Sequence, residues 1–343
     1  MEHKKIKLGI THGDINGIGY EVIIKTFSDS RMFDFCTPVL YGSSKVATYH
    51  KNLLSLHQDV AFNVIADADA AAEKKFNVVN LTDEEVKIDI GRSTEIAGEL
   101  SRRALEAACK DLKEGKIDVL VTAPINKKNI QSPTFDFPGH TEYLSHQFGS
   151  SSLMIMVCES VRIGIVTNHL ALRDVPSTLT HNLLCDKLML MNESLKRDFG
   201  ITMPKIAVLA LDPHAGDNGV IGDFDGVVMK PVIEEMQAKG ILAYGPYPSD
   251  GFFGSREFNN FDGVLALYHD QGLIPFKLMS FSEGVNFTAG LPYVRTSPAH
   301  GTAYDIAGKD KANEQSFRSA VYQACRILRH RREYDELTAD RLK

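Results

Sequence analysis

Short apolar runs rich in β-branched residues recur along the chain at 6–11, 39–41, 117–123, 153–157, 163–167, 206–211 and 263–268. Between them, over 21–27, 44–53, 93–114, 179–198 and 313–332, apolar residues fall at three- and four-residue spacing, the period of a helix with one buried face. Strands alternating with helices predict an α/β fold around a largely parallel sheet. No repeat or flexible linker interrupts the pattern, and 343 residues exceed what a single core usually holds. Two lobes are expected, a discontinuous first one over 1–130 plus 285–343 and a second over 131–284.

Hydrophobic residues make up 43% of the chain, and 38 basic against 44 acidic residues leave a formal charge of −6. The cations are scattered, apart from Arg326, Arg329, Arg331 and Arg332 at the end of the last predicted helix. The helix dipole favours them there, on a solvated face, so nucleic acid is not an expected partner. The stretch 1–7 is polar, and no apolar run has signal-peptide or membrane-span length. A cytoplasmic protein without a membrane partner is expected. Five cysteines, Cys36, Cys109, Cys158, Cys185 and Cys325, lie far apart with no CxxC pair. That suggests neither a disulfide frame nor a thiolate zinc site, and most should be buried as small apolar residues.

Several strands run straight into polar, glycine-bearing turns, where ligands gather in open α/β sheets. The first, Gly13-Asp14-Ile15-Asn16-Gly17-Ile18-Gly19, has glycines at relative positions one, five and seven. This is neither GxGxxG nor a phosphate-binding P-loop, so a standard Rossmann phosphate turn is disfavoured. His169, His214 and His269 each stand just beyond a predicted buried strand, among Asp, Asn and Gly residues. Neutral imidazole is the commonest ligand for a divalent transition metal, and a metal held by three protein ligands leaves room for a substrate hydroxyl, which it acidifies. For any one of them alone, a hydrogen-bonded structural role is the simpler reading. A second group is cationic or strongly donating: His140 and Thr141 at a helix start, with Lys277, Asn286 and Arg295. Such groups suit a phosphate or carboxylate.

The string His300-Gly301-Thr302-Ala303-Tyr304-Asp305-Ile306-Ala307-Gly308, followed by Asn313, closely resembles the adenosine-binding loop of the isocitrate and isopropylmalate dehydrogenase superfamily, H-G-[ST]-A-x-D-[IL]-A-G. That match implies His300, Gly301 and Asn313 about the adenine and Asp305 facing the ribose hydroxyls, where a carboxylate favours NAD over NADP. Gly13, Asp14 and Gly17 complete the cofactor candidates.

With GHTEYL at 139–144, TNHLALRDV at 167–175, DPHAGDNG at 212–219, YHDQGLIPFK at 268–277 and VNFTAGLPYVRTS at 285–297, the chain resembles the 4-hydroxythreonine-4-phosphate dehydrogenase family over nearly its whole length. The resemblance implies two α/β/α lobes with a cleft between them, like isocitrate and isopropylmalate dehydrogenases. It implies His169, His214 and His269 as ligands of one divalent metal (zinc, cobalt or magnesium), and His140, Thr141, Lys277, Asn286 and Arg295 as substrate contacts. Lys277 and Asp270 are the candidate catalytic residues. Implied too are a small phosphorylated amino-acid substrate and a homodimer with shared active sites, in which His169 comes from the partner chain. The reaction would oxidise the C3 hydroxyl of 4-phosphooxy-L-threonine, and the resulting β-keto acid would lose carbon dioxide.

One departure stands out, since the family usually has Pro and Ala where this chain has Ile15 and Asn16. Related branches act on other phosphorylated hydroxy acids. A metal-dependent phosphohydrolase would use the same histidines without needing the 300–308 string. A catalytically idle nucleotide-binding module would have no use for the histidines, and β-decarboxylating dicarboxylate enzymes hold their metal mainly with aspartates.

Overall fold

The computed structural model describes residues 5–55, 60–280 and 282–339; residues 1–4 of the polar N-terminal stretch lie outside them. The chain divides into two compact units, Met1–Gln147 with Pro292–Leu328, and Phe148–Leu291 with Arg329–Lys343. Strands β1 (Ile6–Thr11), β2 (Cys36–Gly42), β3 (Phe62–Ile65), β4 (Phe76–Asn80) and β5 (Val119–Thr122) belong to the first unit. β6 (Leu153–Val157), β7 (Arg162–Ile165), β8 (Lys205–Leu209), β9 (Leu242–Tyr247), β10 (Gly263–Ala266) and β11 (Val285–Ala289) belong to the second. β12 (Val294–Pro298) returns to the first.

The first unit's strands run in the order β3-β4-β2-β1-β5-β12, each parallel to its neighbour. Every residue of β2 and β5 is buried, as a parallel sheet covered on both faces requires. The helix Glu95–Lys113 packs on β1, β2 and β5 through Ala97, Leu100, Ala104, Leu105, Ala108 and Leu112. It starts where Thr94 accepts from the Ala97 N–H at 3.3 Å, satisfying one of its four orphan donors.

In the second unit the order is β11-β6-β7-β10-β8-β9, antiparallel at the β11/β6 and β6/β7 pairs and parallel beyond. The helix His181–Arg197 packs against β6, β10 and β11. At its end Asp198 takes Arg331 Nε at 2.6 Å, with both side chains buried. Arg331 therefore corrects the reading of its cluster as solvated, because a buried carboxylate waits for it. Leu291 carbonyl also accepts from this guanidinium at 3.1 Å.

The expected α/β class is found. β3, β4, β9, β11 and β12 are additions to the predicted strands: β3 has one buried residue in four, β9 contains Pro246, and β11 and β12 alternate poorly. Among the described residues no helix is long and apolar enough to cross a membrane.

Candidate functional site

In the first unit the glycine turn closes β1 onto the helix Gly19–Ser28. Gly13 has φ +69°, and a Cβ there would lie 2.2 Å from the Pro124 carbonyl oxygen. A Cβ on Gly17 would meet the Thr302 carbonyl oxygen at 2.7 Å, and that carbonyl accepts from the Ile18 N–H at 3.0 Å. The turn and the 300–313 loop thus touch backbone to backbone, which only glycine permits. Asp14 is 1% exposed. One of its oxygens accepts from Asn129 Nδ2 and from the Tyr304 hydroxyl, each at 2.7 Å, while the other takes the Asn16 N–H at 2.8 Å. It ties the turn together from inside. Asn16 fixes the opposite flank, donating to the Arg92 carbonyl and Thr94 Oγ1 and accepting from the Asp89 N–H. Asn16 is thus a hydrogen-bonded rivet of the turn.

The loop ends on Lys25, whose ammonium meets Glu21 Oε1 at 2.8 Å, Asp310 Oδ1 at 2.9 Å and the Ala312 carbonyl at 2.9 Å. On this anchored loop the Asp305 side chain is exposed, and Lys309 caps its carbonyl at 2.6 Å. His300 Nδ1 faces the Gly301 carbonyl at 3.0 Å, and its buried Nε2 has no hydrogen-bond partner among the described residues. Burial lowers the His300 pKa, so the ring is neutral near pH 7. Gly301 faces open space, and Asn313 Oδ1 accepts from the Gln315 N–H at 2.8 Å. An orphaned ring nitrogen and an exposed carboxylate on a fixed loop suit the adenosine half of a nicotinamide dinucleotide.

A second cluster of the same unit is cationic. Arg295 on β12 is 2% exposed and donates through Nε and Nη2 to Thr122 Oγ1 of β5, at 3.1 and 2.6 Å. Desolvation lowers its pKa to about 10, so it stays charged at neutral pH, with Glu142 acting in the opposite direction. His140 opens the helix His140–Phe148, and its buried Nε2 has no partner among the described residues. Burial holds His140 well below the usual imidazole range, and the charges of Arg295 and Lys127 add to that. Thr141 beside it is 5% exposed. Lys127 lies close, because a Cβ on Gly139 would sit 3.8 Å from its Cε and 3.3 Å from Glu142 Oε2. Desolvation lowers the Lys127 pKa, and Glu142 opposes it. Two cations and a neutral donor around one carboxylate at a helix start suit an anion. Sequence reading missed Lys127; its only signal was its place after the β5 turn.

In the second unit β7 leads to Asn168, at φ +44°, and His169; β10 leads to His269. The His169 and His269 ring centroids are 5.8 Å apart. His269 Nδ1 meets Asp270 Oδ1 at 2.6 Å, which leaves Nε2 as the free ligand atom, the orientation that metal-bound histidines usually have. Buried Gln271 fixes this turn, accepting from the Leu267 N–H and donating to the Ala210 carbonyl, both at 2.6 Å. His214 sits in a left-handed run, with φ between 44° and 77° from His214 to Asn218. Backbone of that kind is costly for non-glycine residues and collects at functional sites. Asp225, fully buried, steadies the run's entry by accepting from the Leu211 and Asp212 N–H groups, each at 2.9 Å. Among the described residues, His214 does not join His169 and His269 in a group whose ligand atoms all lie within 4.8 Å of one another. Lys277 is exposed on the helix His269–Met279. Asn286 is half-buried on β11, its Oδ1 without a partner among the described residues.

Residues 34–324 match the family model described as pyridoxal phosphate biosynthetic protein PdxA. The 4-hydroxythreonine-4-phosphate dehydrogenase of Bacteroides thetaiotaomicron is 52% identical over 333 residues, 96% of this chain and 91% of that protein. The D-threonate 4-phosphate dehydrogenase of Pectobacterium atrosepticum is 36% identical over 326 residues, 93% of this chain and 98% of its own. A crystal structure of 4-hydroxythreonine-4-phosphate dehydrogenase from Klebsiella pneumoniae superposes with a TM-score of 0.82 at 32% identity, covering 96% of this chain and 99% of that one.

Proposed function

The chain belongs to the pyridoxal phosphate biosynthetic protein PdxA family, and from that premise we propose that it is a 4-hydroxythreonine-4-phosphate dehydrogenase. It oxidises the secondary alcohol at C3 of 4-phosphooxy-L-threonine to 2-amino-3-oxo-4-phosphooxybutanoate. This β-keto acid then loses carbon dioxide to give 3-amino-2-oxopropyl phosphate. The observation that supports this most is the 52% identity to the Bacteroides enzyme across 96% of the chain. The second reading is a D-threonate 4-phosphate dehydrogenase, favoured by the Pectobacterium relative.

Arg295, Lys127, His140 and Thr141 bind the phosphate end, and Asn286 and Lys277 are further substrate contacts. NAD, when bound, accepts the hydride, and a divalent metal, when bound, supplies Lewis acidity at the hydroxyl. His300, Gly301, Asp305 and Asn313 hold the adenosine, with Gly13, Asp14 and Gly17 supporting their loop. Asp14 acts as a positioning residue, since its partners are internal. Asp270 likewise positions the His269 ring, and Lys277, as its neutral amine, takes the proton released by the hydroxyl and becomes the ammonium. His169, His214 and His269 are the metal ligands.

The protein works as a homodimer with shared sites. The adjacency of His169 and His269 favours one chain supplying both and its partner supplying His214, in place of the expectation for His169. The function is tested by incubating the protein with NAD, a divalent metal and 4-phosphooxy-L-threonine while following NADH. NADH should appear with 3-amino-2-oxopropyl phosphate identified by mass spectrometry; no NADH overturns the assignment.

A further inference from the structure

In the second unit the helix His181–Arg197 packs against the helix Lys230–Ala238. His181 is the first residue of its helix, behind the Thr180 cap, and Cys185 follows one turn later on the same face. His181 Nδ1 lies 3.7 Å from Cys185 Sγ, and His181 Nε2 lies 3.2 Å from Glu235 Oε2 on the facing helix. One ligand atom from each of the three residues can be chosen so that all lie within 4.8 Å of one another. The other Glu235 oxygen is occupied by Lys239 Nζ at 2.7 Å, so Oε2 is the oxygen left to bind.

We propose that His181, Cys185 and Glu235 form a second metal site, selective for a zinc-class divalent cation, that clamps the start of one helix to its neighbour. An imidazole nitrogen, a thiolate sulfur and a single carboxylate oxygen suit a borderline-soft ion and not magnesium or calcium, which demand oxygen shells. Tetrahedral zinc bonds of about 2.0–2.3 Å place neighbouring ligands about 3.3–3.8 Å apart, so ligand atoms already within 4.8 Å of one another must draw together through side-chain adjustment for the site to close. Cys185 is buried, while the His181 and Glu235 side chains are partly open to solvent, which leaves water to fill the fourth position. Burial raises the Cys185 pKa, with Glu235 and Asp186 adding to it and Lys239 opposing. The ion must displace a thiol proton, so occupancy increases with pH.

Cobalt(II) separates this site from the histidine site, which has no sulfur donor. Titrating the chelator-stripped full chain with cobalt should produce a thiolate-to-cobalt charge-transfer band whose final amplitude corresponds to one sulfur-ligated cobalt per chain, in addition to the ion taken by the histidine site. Cys185→Ser should abolish the band, and His181→Ala or Glu235→Gln should weaken it by at least about tenfold in apparent affinity. Cys158→Ser and His269→Ala should leave it intact. The His181 side chain is partly open to solvent, so its alanine variant keeps the test sound even if Cys185→Ser folds poorly. Absence of the band in the wild-type protein, or its survival in Cys185→Ser, overturns the proposal without touching the dehydrogenase assignment.

Discussion

Beside the buried Arg295, His140 is a neutral imidazole whose buried Nε2 has no partner among the described residues, and such a nitrogen calls for a ligand to complete it. Arg295 and His140 were legible because each stands in a long specific motif. Lys127 was not, since it sits in a lysine pair that reads as ordinary surface charge. Asp14 was legible as a site residue but not in its role, because its partners Asn129 and Tyr304 are 115 and 290 positions away. Lys127→Ala should raise KM for the phosphorylated substrate by about 10–100-fold, the loss of a charge-assisted contact worth about 1.5–3 kcal/mol, with the fold unchanged. Steady-state kinetics beside a circular-dichroism spectrum check this, and an unchanged KM would move the phosphate elsewhere. Asp305→Ala should narrow the NAD preference, read as the ratio of kcat/KM for the two cofactors.

The glycine turn and the 300–313 loop act as one device through the Gly17–Thr302 contact. Gly17→Ala would drive a Cβ into a backbone oxygen, so the loop must shift by several tenths of an ångström. Affinity for NAD should drop while metal content stays at the wild-type level, as isothermal titration and metal analysis would show; full NAD affinity would break the link. Sequence periodicity found the long central strands and helices, where burial is continuous. It passed over β3 and β9 because edge strands bury too few residues to show a pattern, and it passed over the Lys25 anchor because Glu21 and Asp310 meet only in the folded chain.

Stability of the molecule should depend on acid through buried histidines. His12, Tyr20 and His50 stack with centroids 5.1 and 4.9 Å apart, and burial lowers both imidazoles from 6.5 to about 4. Above about pH 6.5 neither state is protonated, and this contribution is fully present. As pH falls towards 4 the unfolded chain binds protons that the native one refuses, so stability declines, by on the order of 3 kcal/mol per histidine. Urea midpoints at pH 7 and pH 5 should differ, and His50→Gln should flatten the difference. Assembly is open to complementation. Mixed His169→Ala and His214→Ala chains should recover up to about a quarter of wild-type activity, whereas His169→Ala with His269→Ala should recover none. Recovery in the second mixture would return His169 to the partner subunit. The most direct measurement of the central claim is kcat/KM for 4-phosphooxy-L-threonine against D-threonate 4-phosphate, with NAD and saturating divalent metal. The account predicts a preference for the amino acid of about a hundredfold or more; equal values, or a preference for the threonate, would contradict it.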